Sequence, residues 1–159
     1  MTFIVDGTSG LTFPNSTTQA SSSKVLQVVN VTYSTATSTT GTTLVDSGLT
    51  ASITPLFSTS KILVIANMSG LYNGGTANTG INMWVIRNST AIIQFAGITN
   101  YLGSANTLLT SAGTSYLDSP ATISATTYKV QFARILGSGT VGVQNNSDTS
   151  TITLMEIAV

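Results

Sequence analysis

The chain has 159 residues, 42% of them hydrophobic, and five basic residues against five acidic ones. That length and apolar content suit one domain with a core of its own. Charged residues make up 6% of the chain, against about a quarter in ordinary soluble proteins, and Lys24, Lys61, Arg87, Lys129 and Arg134 are scattered singly, which excludes the clustered cations of a nucleic-acid binder.

Residues 1–23 read as an arm distinct from the rest. Two short apolar stretches, Phe3-Ile4-Val5 and Leu11-Thr12-Phe13, are separated by glycines and closed by Pro14, and the polar run Asn15 to Ser23 follows. A segment of this composition orders only when something holds it, so Phe3, Ile4, Val5, Leu11 and Phe13 are expected to dock on a neighbouring molecule. No basic stretch and long apolar run of a signal peptide is visible at the start, and the longest apolar run, Ile62 to Ala66, is too short to span a bilayer. The expectation is a protein made in the cytoplasm without a signal peptide and not inserted in a membrane.

Residues 24–159 form the expected head domain. Close to a third of the chain is Ser or Thr, and with Val, Ile, Tyr and Phe these residues suit pleated strands, whereas the usual formers of long helices are scarce. Strands are expected over Val25–Ser34, Thr43–Val45, Leu49–Thr54, Lys61–Ser69, Ile81–Asn88, Thr90–Ala96, Thr126–Leu136, Val141–Asn145 and Thr151–Ala158. Arg87 to Thr90 and Gly137 to Thr140 are short enough for hairpin turns, since Asn and Gly supply positive φ. Gly97 to Thr126 carries only fragments of strand and reads as a surface excursion. Many short strands punctuated by Gly, Asn and Ser make an all-β antiparallel sandwich or jelly roll.

Two strands break the expected alternation. A strand with one wet face alternates apolar and polar residues, yet Ile62-Leu63-Val64-Ile65-Ala66 is apolar on both faces. In the last strand Ile152 and Leu154 point one way and Met155, Ile157 and Val159 the other. Either a second subunit or long loops of the same chain cover the second face. The first alternative predicts an obligate homo-oligomer with Leu63, Ile65, Tyr128, Phe132, Met155 and Ile157 at its interface. Tyr33, Trp84, Phe95, Tyr128 and Phe132 fall inside strands, where core or subunit interface is expected. Tyr72, Tyr101 and Tyr116 lie at strand ends or in the long segment and are candidates to face a ligand such as a surface glycan.

Catalytic chemistry has little to work with. The chain has neither histidine nor cysteine, so the commonest general base, the commonest metal ligand and the best nucleophile are missing together. Asp6, Asp46, Asp118, Asp148 and Glu156 are far apart in sequence, and Asp46 and Asp148 read as turn residues. Gly137-Ser138-Gly139-Thr140-Val141-Gly142 matches a dinucleotide-binding spelling, but strand rather than helix follows. Ser58-Thr59-Ser60-Lys61 matches S-x-x-K, but Lys61 opens a strand instead of lying on a helix with the serine. Sequons such as Asn67-Met68-Ser69 are expected by chance at this Ser/Thr content. A non-enzyme is expected, with no cofactor and no metal.

The arm, Val5-Asp6-Gly7-Thr8-Ser9-Gly10-Leu11-Thr12-Phe13-Pro14-Asn15-Ser16-Thr17-Thr18-Gln19, resembles the "DG…GLTFP…TTQ" segment near the start of many phage tail-fibre-like and other virion proteins, and covers about a tenth of the chain. Val25 to Val29, Thr50 to Pro55, Lys61 to Val64 and Thr151 to Ile157 resemble head domains of marine and freshwater phage proteins, which are similar in turn to the jelly rolls of tumour necrosis factor and the complement globular head. The resemblance implies a homotrimer on the exterior of a phage particle. It allows two roles. A short tail fibre or receptor-binding protein would attach to the tail by its arm and present loops to a host surface glycan. A capsid decoration or cement protein would sit on the major capsid protein with its arms across neighbouring subunits, and the small size of the chain fits this second role.

Overall fold

The structure is a computed structural model that describes residues 4–6, 10–12, 18–19 and 24–159, with backbone alone for the first three stretches and for Leu102. The strands are β1 (Ile4–Asp6), β2 (Gly10–Thr12), β3 (Thr18–Gln19), β4 (Val25–Tyr33), β5 (Thr37–Thr39), β6 (Val45–Ile53), β7 (Lys61–Gly74), β8 (Thr79–Arg87), β9 (Thr90–Leu102), β10 (Thr107–Asp118), β11 (Thr126–Ile135), β12 (Val141–Val143) and β13 (Ser150–Ile157). A 3-10 turn, Asn145–Ser147, links the last two.

β1, β2 and β3 form a small antiparallel sheet, with Val5 opposite Leu11 and Leu11 opposite Gln19. The head is a sandwich of two antiparallel sheets. In the first, the order is β4-β13-β7 with β10 on the far edge of β7; in the second it is β6-β11-β8-β9. These two four-strand orders make a jelly roll, as the alternation of short strands and turn residues predicts. β7 is long enough, at 14 residues, to pair with β13 along its first half and with β12 and, beyond it, β5 along its second. Side chains at every second position of both sheets fill the interior: Leu49, Ile53, Ile62, Val64, Met68, Ile81, Met83, Val85, Tyr128, Phe132, Ile152 and Leu154 are all buried.

Several expectations change. Gly97 to Thr126 is no surface excursion: it holds the second half of β9 and the whole of β10, which pairs with β7 from Asp118↔Ile62 to Thr107↔Gly74. Its sequence, TLLTSAGTSYLD, is polar because β10 is an edge strand, and pairing with β7 rather than its own apolar content holds it in place. The expected Thr43–Val45 and Leu49–Thr54 are one strand, β6, continuous through Gly48 at φ 86. Arg87 to Thr90 is a hairpin, with Arg87 opposite Thr90 and Asn88 at φ 54. Gly137 to Thr140 is not a hairpin. β11 and β12 belong to different sheets, and this segment carries the chain from one to the other. Gly137, at φ 55, packs so closely on Asn78 and Thr79 that a Cβ there would meet Asn78 O at 2.7 Å.

Candidate interaction surface

The outward face of the β4-β13-β7-β10 sheet follows from register alone, since paired residues share a face. Met155 pairs with both Val28 and Leu63, and Leu63 pairs with Leu117, so Val28, Met155, Leu63 and Leu117 form an unbroken apolar row across four strands. Below it lies Ile157, between Val25 and Lys61. Above it lie Asn30, Thr153, Ile65 and Ser115, where Asn30 Nδ2 donates to Thr153 Oγ1 at 2.8 Å. The next row, Thr32, Thr151, Asn67 and Gly113, is polar or small.

One end of this face is thus an apolar patch, with Lys61 in line with Ile157 at its margin. Its members keep much of their surface in solvent: Val28 is 53% exposed, Leu117 48%, Val25 40% and Ile65 39%. Leu63, Met155 and Ile157 are half-buried beside them. Contiguous exposed apolar surface of this kind marks an interaction site more often than chance.

The outward face of the other sheet is built differently. Lys129 Nζ lies 2.8 Å from the Asp46 carboxylate, Gln131 Nε2 donates to Asp46 at 2.7 Å, and Gln94 donates to Asn82 at 3.0 Å. Partial burial raises the Asp46 pKa, but the bonds from Lys129 and Gln131 outweigh it and hold the carboxyl below its ordinary value. Asp46 is therefore a strand residue with cross-strand partners, not the turn residue its Asp46-Ser47-Gly48 context implies. This face meets its polar needs within the chain.

Two buried polar clusters hold the patch end of the sandwich in shape. Glu156 alternates out of phase with Met155 and points inward, fully buried. Its carboxylate accepts hydrogen bonds from Gln27 Nε2 at 2.6 Å, Leu56 N at 2.7 Å and Phe57 N at 3.4 Å. Burial opposes its ionisation, yet these donors together hold its pKa below the ordinary glutamate value. Glu156 thereby ties β13 to β4 and to the β6–β7 turn, and Gln27 adds a bond to Thr54 O at 2.7 Å. In the second cluster Arg87 Nη1 donates to both Asp118 oxygens at 2.9 Å, and Tyr128 Oη donates to Asp118 Oδ2 at 2.7 Å. Burial, reinforced by the Asp118 acceptor, pushes the Tyr128 phenol well above its ordinary value. Because Arg87 and Tyr128 belong to one sheet and Asp118 to the other, this cluster clamps the two together.

Of the six residues expected at a subunit interface, Leu63, Ile65, Met155 and Ile157 converge on the patch. Tyr128 and Phe132 do not: both are fully buried in this chain's own core, on the inward side of β11, and are out of reach of a second subunit. Val28 and Leu117 belong to the patch and were not expected. Val28 lies in a run whose outward positions are otherwise Asn30 and Thr32, and Leu117 lies in the segment read as a loop. The three tyrosines divide as well. Tyr72 and Tyr101 lie at the end of the head opposite the patch, where Tyr101 Oη donates to Asn78 Oδ1 at 2.8 Å. Tyr116 lies in register with the core residue Val64, half-buried and facing inward at the patch end, so it lies apart from the other two. In the arm, Ile4, Val5 and Leu11 lie in β1 and β2, and Phe3 and Phe13 lie outside the described residues.

The remaining chemistry is dispersed. Asp46, Asp118 and Glu156 each have separate partners, and Asp148 caps the 3-10 turn. Among the described residues no three Asp or Glu side chains come together as a metal site.

No protein-family model matches the chain, nor does any curated protein. Among solved structures it is similar to a chain of infectious bursal disease virus, Gx strain, with 15% identity and a TM-score of 0.45 over 90% of this chain and 39% of that one. It is similar also to one of the Gt strain, with 14% identity and a TM-score of 0.45 over 90% and 40%. A third similar structure is VP2 in the subviral particle of the same virus, with 15% identity and a TM-score of 0.43 over 89% and 39%. The chain spans about two fifths of the length of each of these structures.

Proposed function

We propose that this chain is a non-enzymatic structural protein on the exterior of a bacteriophage particle, a homotrimer acting as a short tail fibre or receptor-binding protein. The observation that carries the reading is the four-strand apolar row Val28, Met155, Leu63 and Leu117, which lies on the outward face of a domain with almost no charge and is covered by none of the described strands. A second copy is the occupant that fits it. The patch is flat, uncharged except at its margin, and rimmed by Thr and Asn side chains that can hydrogen-bond across a subunit boundary.

The polarity of the head favours a fibre over a cement protein. β4, into which the arm leads, starts at the patch end, and the Asn-, Gly- and Tyr-rich connections around Tyr72 and Tyr101 lie at the other. Attachment at one pole and recognition at the other is the arrangement a receptor-binding protein needs. The resemblance of the arm to virion proteins supports the setting.

Two measurements test this reading. Sedimentation equilibrium of the purified protein should give the trimer mass. Immunogold labelling of intact particles should fall on the tail. Even labelling over the capsid would replace the fibre reading with the decoration protein, and absence of label from particles would remove the virion setting.

A further inference from the structure

At the pole opposite the patch, Tyr72 projects on the outward side of β7, in register with Leu109 on one neighbour and Gly142 on the other. Gly142 is in turn opposite Ser38 on β5. Glycine at 142 suits the close approach of β5, since a Cβ there would sit 3.0 Å from Thr37 O, and it puts no side chain beside the tyrosine on the β12 side. A Cβ at Gly74 would lie 3.5 Å from Tyr72 Oη and 3.4 Å from Thr140 Cβ. The ring therefore runs along its strand over a second glycine, with its hydroxyl end next to Thr140, which the bond from Gly74 N to Thr140 O at 2.8 Å holds in place.

A pocket of about 260 Å3 opens at this point, lined among others by Tyr72, Ser38, Thr37, Thr140, Gly142 and Asn145. One wall is the 3-10 turn that carries Asn145. The turn carries three left-handed residues, Gln144 at φ 53, Asn146 at φ 57 and Ser147 at φ 62, and is seated on Gly70, where a Cβ would meet Asn145 N at 2.6 Å. Strained backbone held by its surroundings is a recurrent mark of functional sites.

Among the described residues no charged one lines this pocket. An anion would find no cation in it, and a cation no carboxylate. What the pocket offers is an aromatic platform beside hydroxyl and amide groups that both donate and accept. We infer that the Tyr72 pocket binds a neutral sugar, its apolar face on the tyrosine ring and its hydroxyls towards Ser38, Thr140 and Asn145. The inference deepens the proposed receptor-binding role by naming the site and the ligand class, and it rests on that reading for its biological meaning only.

The test is saturation-transfer NMR on the purified protein with the methyl glycosides of glucose, galactose and mannose, with N-acetylglucosamine, and with sialic acid as a charged control. At least one neutral sugar should bind with a dissociation constant in the millimolar range, weakened about tenfold or more in Tyr72→Ala and retained in Tyr72→Phe. Ser38→Leu, at an exposed position of β5, should block the pocket with the melting temperature unchanged, which separates loss of binding from loss of fold. No transfer from any neutral sugar, equal binding by Tyr72→Ala, or preference for sialic acid would overturn the inference. Sugar binding by a protein that labels the capsid would leave the inference standing and defeat the tail-fibre reading, so the two fail separately.

Discussion

Replacing Ile65 by Asp places a carboxylate on the apolar face between Thr153 and Ser115, one row from Leu63. Ile65 is 39% exposed, so covering its remaining surface in an assembly contributes about 1 kcal/mol per subunit. A carboxylate buried there without a partner costs about 3–5 kcal/mol more. The nearest cation on this face, Lys61, is four residues away along the strand, about 13 Å at the usual rise per residue, too far to pair. The sum, about 4–6 kcal/mol for each subunit, weakens association by about a thousandfold or more. Ile65 points away from the core, so the monomer keeps its own packing. Sedimentation equilibrium should therefore give a trimer for the parent chain and a monomer for Ile65→Asp at the same micromolar concentration, while circular dichroism shows the same strand content for both. If Ile65→Asp sediments as the parent oligomer, or the parent is itself a stable monomer, the face is not a subunit interface.

The buried clusters make further predictions. Glu156→Gln replaces a carboxylate that accepts three hydrogen bonds, one from Gln27 and two from backbone amides, and should lower stability by about 2–3 kcal/mol near neutral pH in denaturant unfolding. Because the folded pKa of Glu156 is depressed, its contribution is present above the ordinary glutamate value and is lost as pH falls through the folded one. The gap between parent and Glu156→Gln should therefore close under acid conditions. Tyr128→Phe removes the hydroxyl that donates to Asp118 and should cost about 1–2 kcal/mol. The raised Tyr128 pKa means that the folded state keeps a proton the unfolded state releases near pH about 10, so the parent should lose stability as pH rises beyond that point and the phenylalanine variant should lack that part of the loss. Gly70→Ala, with φ 61 and a Cβ 2.6 Å from Asn145 N, should lower the melting temperature by several degrees, corresponding to roughly 1–3 kcal/mol.

Strand class and most strand positions were legible because they depend on local composition. Val25 to Tyr33, Lys61 to Ser69 and Thr126 to Ile135 are rich in β-branched and aromatic residues, and Asn88 marks its hairpin through its own backbone preference. The doubly apolar stretch of β7 likewise marked an apolar outward face, and Leu63, Ile65, Met155 and Ile157 do share it. β10 was illegible for the opposite reason: its middle, Thr110 to Ser115, is all Thr, Ser, Ala and Gly, which splits Leu108-Leu109 from Tyr116-Leu117, and it is strand throughout because β7 offers it a ladder of backbone partners.

Which apolar residues face inward was also beyond local reading. Tyr128, Phe132, Leu63 and Met155 look alike as strand hydrophobics, and only the pairing of β11 with β6 and β8, and of β13 with β4 and β7, assigns the first two to the core and the last two to the surface. The partners of the buried charges come from far along the chain: Gln27 lies 129 residues from Glu156, and Arg87 lies 31 from Asp118. By itself the sequence determined that this protein would be a strand-built sandwich with few charges and apolar surface to spare. Tertiary structure alone decided where that surface gathers and where Tyr72 is left uncovered, because both depend on the register between strands distant in sequence, and a shift of one residue would turn every side chain to the other face.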